Sequence, residues 1–483
     1  MVNGLLREPV FYAAGGRHRL RSLLRERQGD DLTQQENILG SMPMGRLVIH
    51  MSWPIMISML MQAIYNLVDS LFVVRISDAA FLALSYAYPV QSLMVAFCVG
   101  TGVGFSALLA KRLGQGDQRQ ANSAVFHGLL LYLGCWILFL LFGLFACRAY
   151  MDFCTDTAQV AEMGVEYLRI CCCFSFGMCA QFPLERILQS TGHPMGFMII
   201  QGSGAVINLI FDPILIFGFD MGVAGAAAAT VAGQIIGALI GVFLAFRIRR
   251  QFPLSPRGFR LDSRTFAELT RVAAPAILMQ SLSSVMSLGL NAIFRLWSET
   301  AVWVLGVYFK LQNFVFMPVF SINNGLVSII SYNYGASSRE RVRGAVRAGL
   351  LIALIAAGVG CILMWTLASP LLVFCFQASP AALAMGIPAL RLTALAFLPA
   401  AVSIICSASF QSLGRSRYSL SVSLLRYIIL LLPAALLLVR VLPDWSFGAF
   451  LIAELATCAV SLALYGKLRR EKIDTIGTAS GGL

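Results

Sequence analysis

Charge is what this sequence has least of: Asp, Glu, Lys and Arg together make up 12% of the residues. A soluble chain carries about twice that share, so a single hydrated globule is excluded. No C-x-x-C pair occurs among the twelve cysteines. The four histidines, His18, His50, His127 and His193, include no pair at metal-ligand spacing on one helix face. These absences leave no redox or zinc motif. They also leave no catalytic cluster of the kind a membrane-embedded enzyme needs. The cysteines, including the run Cys171-Cys172-Cys173, read as small core residues. Residues 1–46 carry seven arginines and no short apolar core with a cleavage site, so a removable signal peptide is not expected. This basic arm reads as a disordered tail or as a segment lying on anionic lipid.

Hydrophobic residues supply 58% of the chain, in apolar runs that recur from residue 47 to residue 468. A bilayer core takes about 20 apolar residues per helix. Backbone in lipid must satisfy its own hydrogen bonds, which favours helices. The runs are too long and too evenly apolar for alternating barrel strands. Polar and Gly/Pro-bearing breaks predict an all-α membrane protein with spans near 47–75, 82–109, 122–147, 160–189, 195–218 and 222–246, then 266–296, 301–332, 342–374, 382–413, 417–440 and 446–468. The first six form an amino-terminal lobe over 47–246 and the last six a carboxyl-terminal lobe over 266–468. A basic linker, 247–265, joins them, and a tail occupies 469–483.

Lys111, Arg112, Arg119, the linker arginines, Arg339, Arg341, Arg343, Arg347, Arg415, Arg417 and the tail cations fall on the side that holds both termini. Only Arg75, Arg148, Arg169, Arg295, Arg391 and Arg440 fall on the other. The positive-inside rule therefore predicts cytoplasmic termini, and the net charge of +13 needs no nucleic-acid partner to explain it. The halves also repeat. Pro54 and Pro275 are 221 residues apart, as are Gly114 and Gly335, while Gln189-Ser190-Thr191-Gly192 recurs as Gln411-Ser412-Leu413-Gly414. An even number of spans per copy makes this a parallel repeat, of the kind that rocks around a shared cavity.

Charges inside a bilayer are costly, so each needs a reason. Asp69 lies about six residues before the outer end of span 1, and Asp212 about six before the outer end of span 5. Thr230 lies about eight residues into span 6. Helical rise puts all three in one layer. Asn208 and Tyr65 stand four residues before the two aspartates and share their helix faces. Such a layer carries a proton on a desolvated carboxyl or holds a hard cation such as Na⁺ with its oxygens. In the second half Asn291 falls within one residue of the place of Asp69, and the carboxylate pair is not repeated. The depths of Lys310 and Glu454 allow an ion pair, structural or substrate-facing. Glu185 and Arg186 end span 4 as a structural or gating pair. Pro54 makes a hinge or a fixed kink below Asp69.

Three segments resemble those of multidrug and toxic compound extrusion (MATE) transporters. They are Trp53-Pro54-Ile55-Met56-Ile57-Ser58 continued by Gln62 to Ser70, Asn208 to Gly218, and Asn324-Gly325 with Ser331 to Ala336. They fall on spans 1, 5 and 8, and the likeness runs over about residues 37–470. The resemblance implies two six-helix lobes around a V-shaped cavity, and export of drugs driven by H⁺ or Na⁺ entry. In the branch related to DNA-damage-inducible transporters it implies a cation site at Asp69, Asn208, Asp212 and Thr230, with helix 1 bending at Pro54. The acidic residues that the norfloxacin-exporter branch carries on helices 7 and 10 have no counterpart here. The expectation is a monomeric antiporter of the cell membrane, exporting small organic and often cationic compounds with no cofactor beyond the coupling ion. A flippase or exporter of lipid-linked or other amphiphilic metabolites is the alternative.

Overall fold

The computed structural model describes residues 38–74, 76–248 and 260–476. Most of the basic arm, Arg75, the middle of the linker and residues 477–483 lie outside the described residues, and so do the readings attached to them. The described chain is helical. Ten helices are long and apolar enough to cross a membrane, or twelve spans when each of two bent pairs counts as one. In chain order these are α1 (Met44–Val74), α2 (Asp78–Gly114), α3 (Gln118–Cys154), α4 (Ala158–Cys173 with Phe176–Ser190), α5 (Pro194–Gly218) and α6 (Gly222–Ile248). The second set is α7 (Ser263–Arg295), α8 (Glu299–Gly335), α9 (Arg339–Cys375), α10 (Pro380–Ala394 with Phe397–Ser412), α11 (Ser416–Val441) and α12 (Gly448–Ile473). The chain is thus a multi-pass membrane protein with two matched sets of six spans.

The repeat shows in local irregularities as well as in helix count. Spans α4 and α10 bend by 45° and 43°. Beside the first bend the Ser175 hydroxyl donates to the Cys172 carbonyl at 2.7 Å. Beside the second, the Thr393 hydroxyl donates to Ala389 at 2.9 Å and to Leu390 at 3.2 Å. Side chains inserted into the backbone ladder in this way loosen it and bend the helix. Wide π-type turns occur in the third and fifth spans of both sets, inside α3 and α11 and as the last turn of α9 and α5. Ser77 and Ser298, 221 residues apart, cap α2 and α8 by accepting from the amides of Ala80 and Ala301, both at 3.0 Å. Such caps satisfy N–H groups that the first helical turn leaves free.

The two halves meet along α1 and α2 of one and α7 and α8 of the other. Their contacts follow the repeat register. A methyl group on Gly104 would sit 2.9 Å from the Ala273 nitrogen, and one on Gly325 would sit 3.1 Å from the Ser52 hydroxyl. These contacts are in the half of the bundle nearer the basic end. At that end Glu268 of α7 accepts from Lys111 at 2.7 Å and from Arg112 at 2.8 Å. Buried His127 of α3 accepts from the Asp262 amide at 2.9 Å through Nε2, docking the start of α7. All twelve cysteines are free.

The α1–α5–α6 cluster and the buried charges

Spans α1, α5 and α6 pack on one another because small residues let them approach. The carbonyl of Gly204 on α5 would lie 2.6 Å from a methyl on Gly233, and that of Gly233 would lie 3.1 Å from one on Gly204. Close small-residue crossings of this kind supply van der Waals packing that lipid cannot. They also bring Asn208, one turn beyond Gly204, against Thr230, one turn before Gly233. With its amide oriented by the network, Asn208 donates to Asp212 Oδ2 at 3.2 Å and accepts from Thr230 N and Oγ1 at 3.2 and 3.3 Å. Asn208 and Asp212 are buried, at 3% and 0% exposure.

Asp69 reaches this group from α1. Its carboxyl lies against that of Asp212, and its Oδ1 is buried without a hydrogen-bond partner. Tyr65 stands beside both aspartates and is hydrogen-bonded to Gln62. The two carboxyls, the amide and the hydroxyl therefore come together. Asn208, Thr230 and Tyr65 line a small cavity of about 70 Å³ that continues to Gln62, Gln181 and Gln201. Two carboxylates in contact repel when both are charged, and a proton or a cation between them removes the conflict. The donor set of two carboxyls, an amide oxygen and a hydroxyl suits a proton or a hard monovalent cation equally well. Among the described residues no group of three or more His, Cys, Asp or Glu side chains stands ready for a metal ion. Helix α1 runs without a break through Pro54, whose carbonyl accepts from the Ser58 hydroxyl at 2.9 Å.

The second half is built differently, and one expectation is corrected there. Glu454 pairs with Arg426, not with Lys310. Arg426 lies in the π-type turn of α11 that packs on α12, where its guanidinium also sits 5.2 Å above the Tyr427 ring. Lys310 is on an exposed face of α8. Depth sets the height of a side chain but not the face of the helix it occupies, and rotation of α8 and α12 turned the two apart. Arg426 went unassigned in the sequence reading. Its signal was available, since it is a lone cation ten residues inside α11. Asn291 donates to the Ser287 carbonyl of its own helix at 2.8 Å. Glu185 and Arg186 do not pair with each other either. Glu185 accepts from Gln181 at 2.8 Å, and Arg186 donates to Gln189 at 2.9 Å.

An internally duplicated helical membrane protein with a buried carboxyl pair in one half is the class these features define. The sequence model of the MatE family matches twice, over residues 54–214 and 275–437, more than half of the chain, and its two starts are again 221 apart. The chain belongs to the MatE family. It is 23% identical to the multidrug export protein MepA of Staphylococcus saprophyticus over 88% of this chain and 94% of the relative. It is 26% identical to an FAD transporter of Shewanella oneidensis, over 82% of this chain and 88% of that one. Among solved structures, an outward-facing multidrug resistance transporter of the MATE family superposes with a TM-score of 0.85 at 23% identity, covering 92% of this chain and 99% of the other. A transporter of the MOP superfamily from Pyrococcus furiosus gives 0.84 at 22%, with the same coverage. At these identities the structural likeness establishes the fold.

Proposed function

We propose that the protein is a secondary-active efflux antiporter. It exports small organic, often cationic compounds in exchange for H⁺ or Na⁺, and it sits in the cell membrane as a monomer with its basic end and both termini in the cytoplasm. The observation that carries this reading is the contact of Asp69 with Asp212 beside Tyr65, Asn208 and Thr230, which line the α1–α5–α6 cavity. A buried carboxyl pair of this kind binds a cation more readily than it tolerates two bare charges. Substrate and coupling ion then compete for one acidic lobe. The packing of the halves at the basic end fits the state that faces away from the cytoplasm. Multidrug export by MepA-type relatives supports the substrate class.

The relative that carries FAD favours a second reading, export of an amphiphilic metabolite. Against it stands the lining of the cavity, which includes four glutamines, Asn208 and Thr230 but no Lys or Arg to hold an anion. Dye efflux from vesicles under separate H⁺ and Na⁺ gradients tests the proposal. Wild-type protein is expected to respond to one of the two gradients, and Asp69→Asn to lose that response. Full gradient-driven efflux by the variant would overturn the role of Asp69.

A further inference from the structure

Asp69 and Asp212 lie behind Tyr65 and Asn208 of the α1–α5–α6 cavity lining, which continues away from them along α4. Gln181 of α4 is part of that lining, wedged against α6, where its amide carbon would lie 3.2 Å from a methyl on Gly237. Its Nε2 donates to Gln201 of α5 at 3.4 Å and, at 2.8 Å, to Oε1 of Glu185. Glu185 is fully buried, and its second oxygen, Oε2, has no hydrogen-bond partner.

The groups facing this carboxyl supply no counter-charge by direct contact. From α2 it faces the Cys98 thiol, which lies 3.9 Å from Cys179. From α3 it faces the Tyr132 hydroxyl, which donates to the Cys98 carbonyl at 3.0 Å. From α5 and α6 come Gln201 and the glycine at 237. Among the described residues the cation near it is Arg186 on the same helix, and that side chain is turned to Gln189 and to the face of Phe197, 5.7 Å away. A buried carboxylate with one amide donor and no ion pair carries a desolvation penalty that a proton removes. An acid whose only role was to anchor Arg186 would touch it.

We infer that Glu185 is a second proton-binding site of this lobe, held behind Gln181 of the cavity lining as Asp212 is held behind Asn208. One proton is taken up on Oε2, an O–H bond forms, and the side chain goes from a charge of −1 to neutral. The position also links proton binding to the contact between halves. Arg186 holds Gln189, and Gln189 donates to the Asn324 carbonyl of α8 at 2.7 Å. Ionised Glu185 competes with Gln189 for the guanidinium, and neutral Glu185 does not. The coupling role rests on the antiport reading above; the proton site itself does not.

The test separates the two. Infrared difference spectra of the purified protein between high and low pH read protonated carboxyls directly. One carboxylic-acid band is expected to vanish in Glu185→Gln, to shift in Glu185→Asp and to persist in Asp69→Asn. An unchanged band set in Glu185→Gln overturns the site. Should that variant fail to reach the membrane, an unshifted band in Glu185→Asp overturns it equally. Coupling is read with ethidium in proteoliposomes. Glu185→Gln is expected to keep ethidium–ethidium exchange while its pH-driven efflux falls roughly tenfold. Unaltered pH-driven efflux overturns the link to transport. A wild-type protein with the band but no pH-driven efflux leaves the proton site standing and removes the proton-antiport reading.

Discussion

Gly114 and Gly335 meet at the crossing of α2 and α8, each against the backbone of the other's helix. A methyl on Gly114 would sit 1.9 Å from the Tyr332 carbonyl oxygen, and one on Gly335 would sit 2.1 Å from the Lys111 carbonyl oxygen. Tyr332 and Lys111 are themselves 221 residues apart, so the two contacts are copies of each other about the axis of the repeat. Backbone cannot yield as a side chain can. Gly114→Ala is therefore expected to cost about 1–3 kcal/mol in the closed state of the basic end. Cysteine pairs placed across that end are expected to cross-link less in Gly114→Ala and in Gly335→Ala than in the parent. Equal cross-linking would mean that the crossing does not set how tightly this end closes.

Thr230→Ala separates the two coupling ions. Under Na⁺ coupling it removes one oxygen ligand and raises the Na⁺ concentration for half-maximal efflux roughly tenfold, the equivalent of about 1.4 kcal/mol. Under H⁺ coupling the proton resides on a carboxyl, and the pH dependence of efflux is expected to stay close to that of the parent. The ion titrations of the two proteins decide it.

Removing one member of the Arg426–Glu454 pair strands a buried charge. Glu454→Gln is expected to destabilise the protein by about 3–5 kcal/mol, read as a lower melting temperature in detergent. The double replacement Arg426→Met with Glu454→Leu is expected to recover most of that loss. Lys310→Gln is expected to leave the melting temperature unchanged, since Lys310 is exposed and apart from the pair. A drop with Lys310→Gln as large as that with Glu454→Gln would restore the Lys310 pairing.

Beyond the end of α12, Asp474 accepts from Arg343 and lies 3.5 Å from Arg339 and 3.6 Å from Arg469. The Arg343 hydrogen bond, with the charges of Arg343, Arg469 and Arg339, holds its carboxyl below the usual aspartate range. A lowered folded value means that this contact is complete above the ordinary aspartate pKa of about 3.9 and is lost as pH falls through the lowered value. Limited proteolysis is expected to cut the segment after α12 faster in Asp474→Asn than in the parent at neutral pH. In the parent, cutting with an acid-stable protease is expected to rise only below the usual aspartate range. A rise already near pH 6 would point to another group.

Much of the architecture could be read before any coordinates. A bilayer demands long apolar helices, and their breaks are visible in composition, so the spans fall close to their expected places. The register of the repeat was legible because Gly114 and Gly335 are constrained by the same crossing. Depth along the chain likewise put Asp69, Asp212 and Thr230 in one layer. Two of them lie on neighbouring spans, α5 and α6, which crossing glycines bring into contact.

The sequence alone determined the membrane class, the duplication and the heights of the buried polar residues, since each follows from distance along a helix. Only the tertiary structure decided partners, because partners depend on how each helix is rotated about its axis. A residue's number fixes its rise of about 1.5 Å per step but not the neighbour toward which the whole helix turns. That is why Glu454 found Arg426 in place of Lys310. For the same reason Glu185, adjacent to Arg186 in the chain, turns to Gln181 and the cavity.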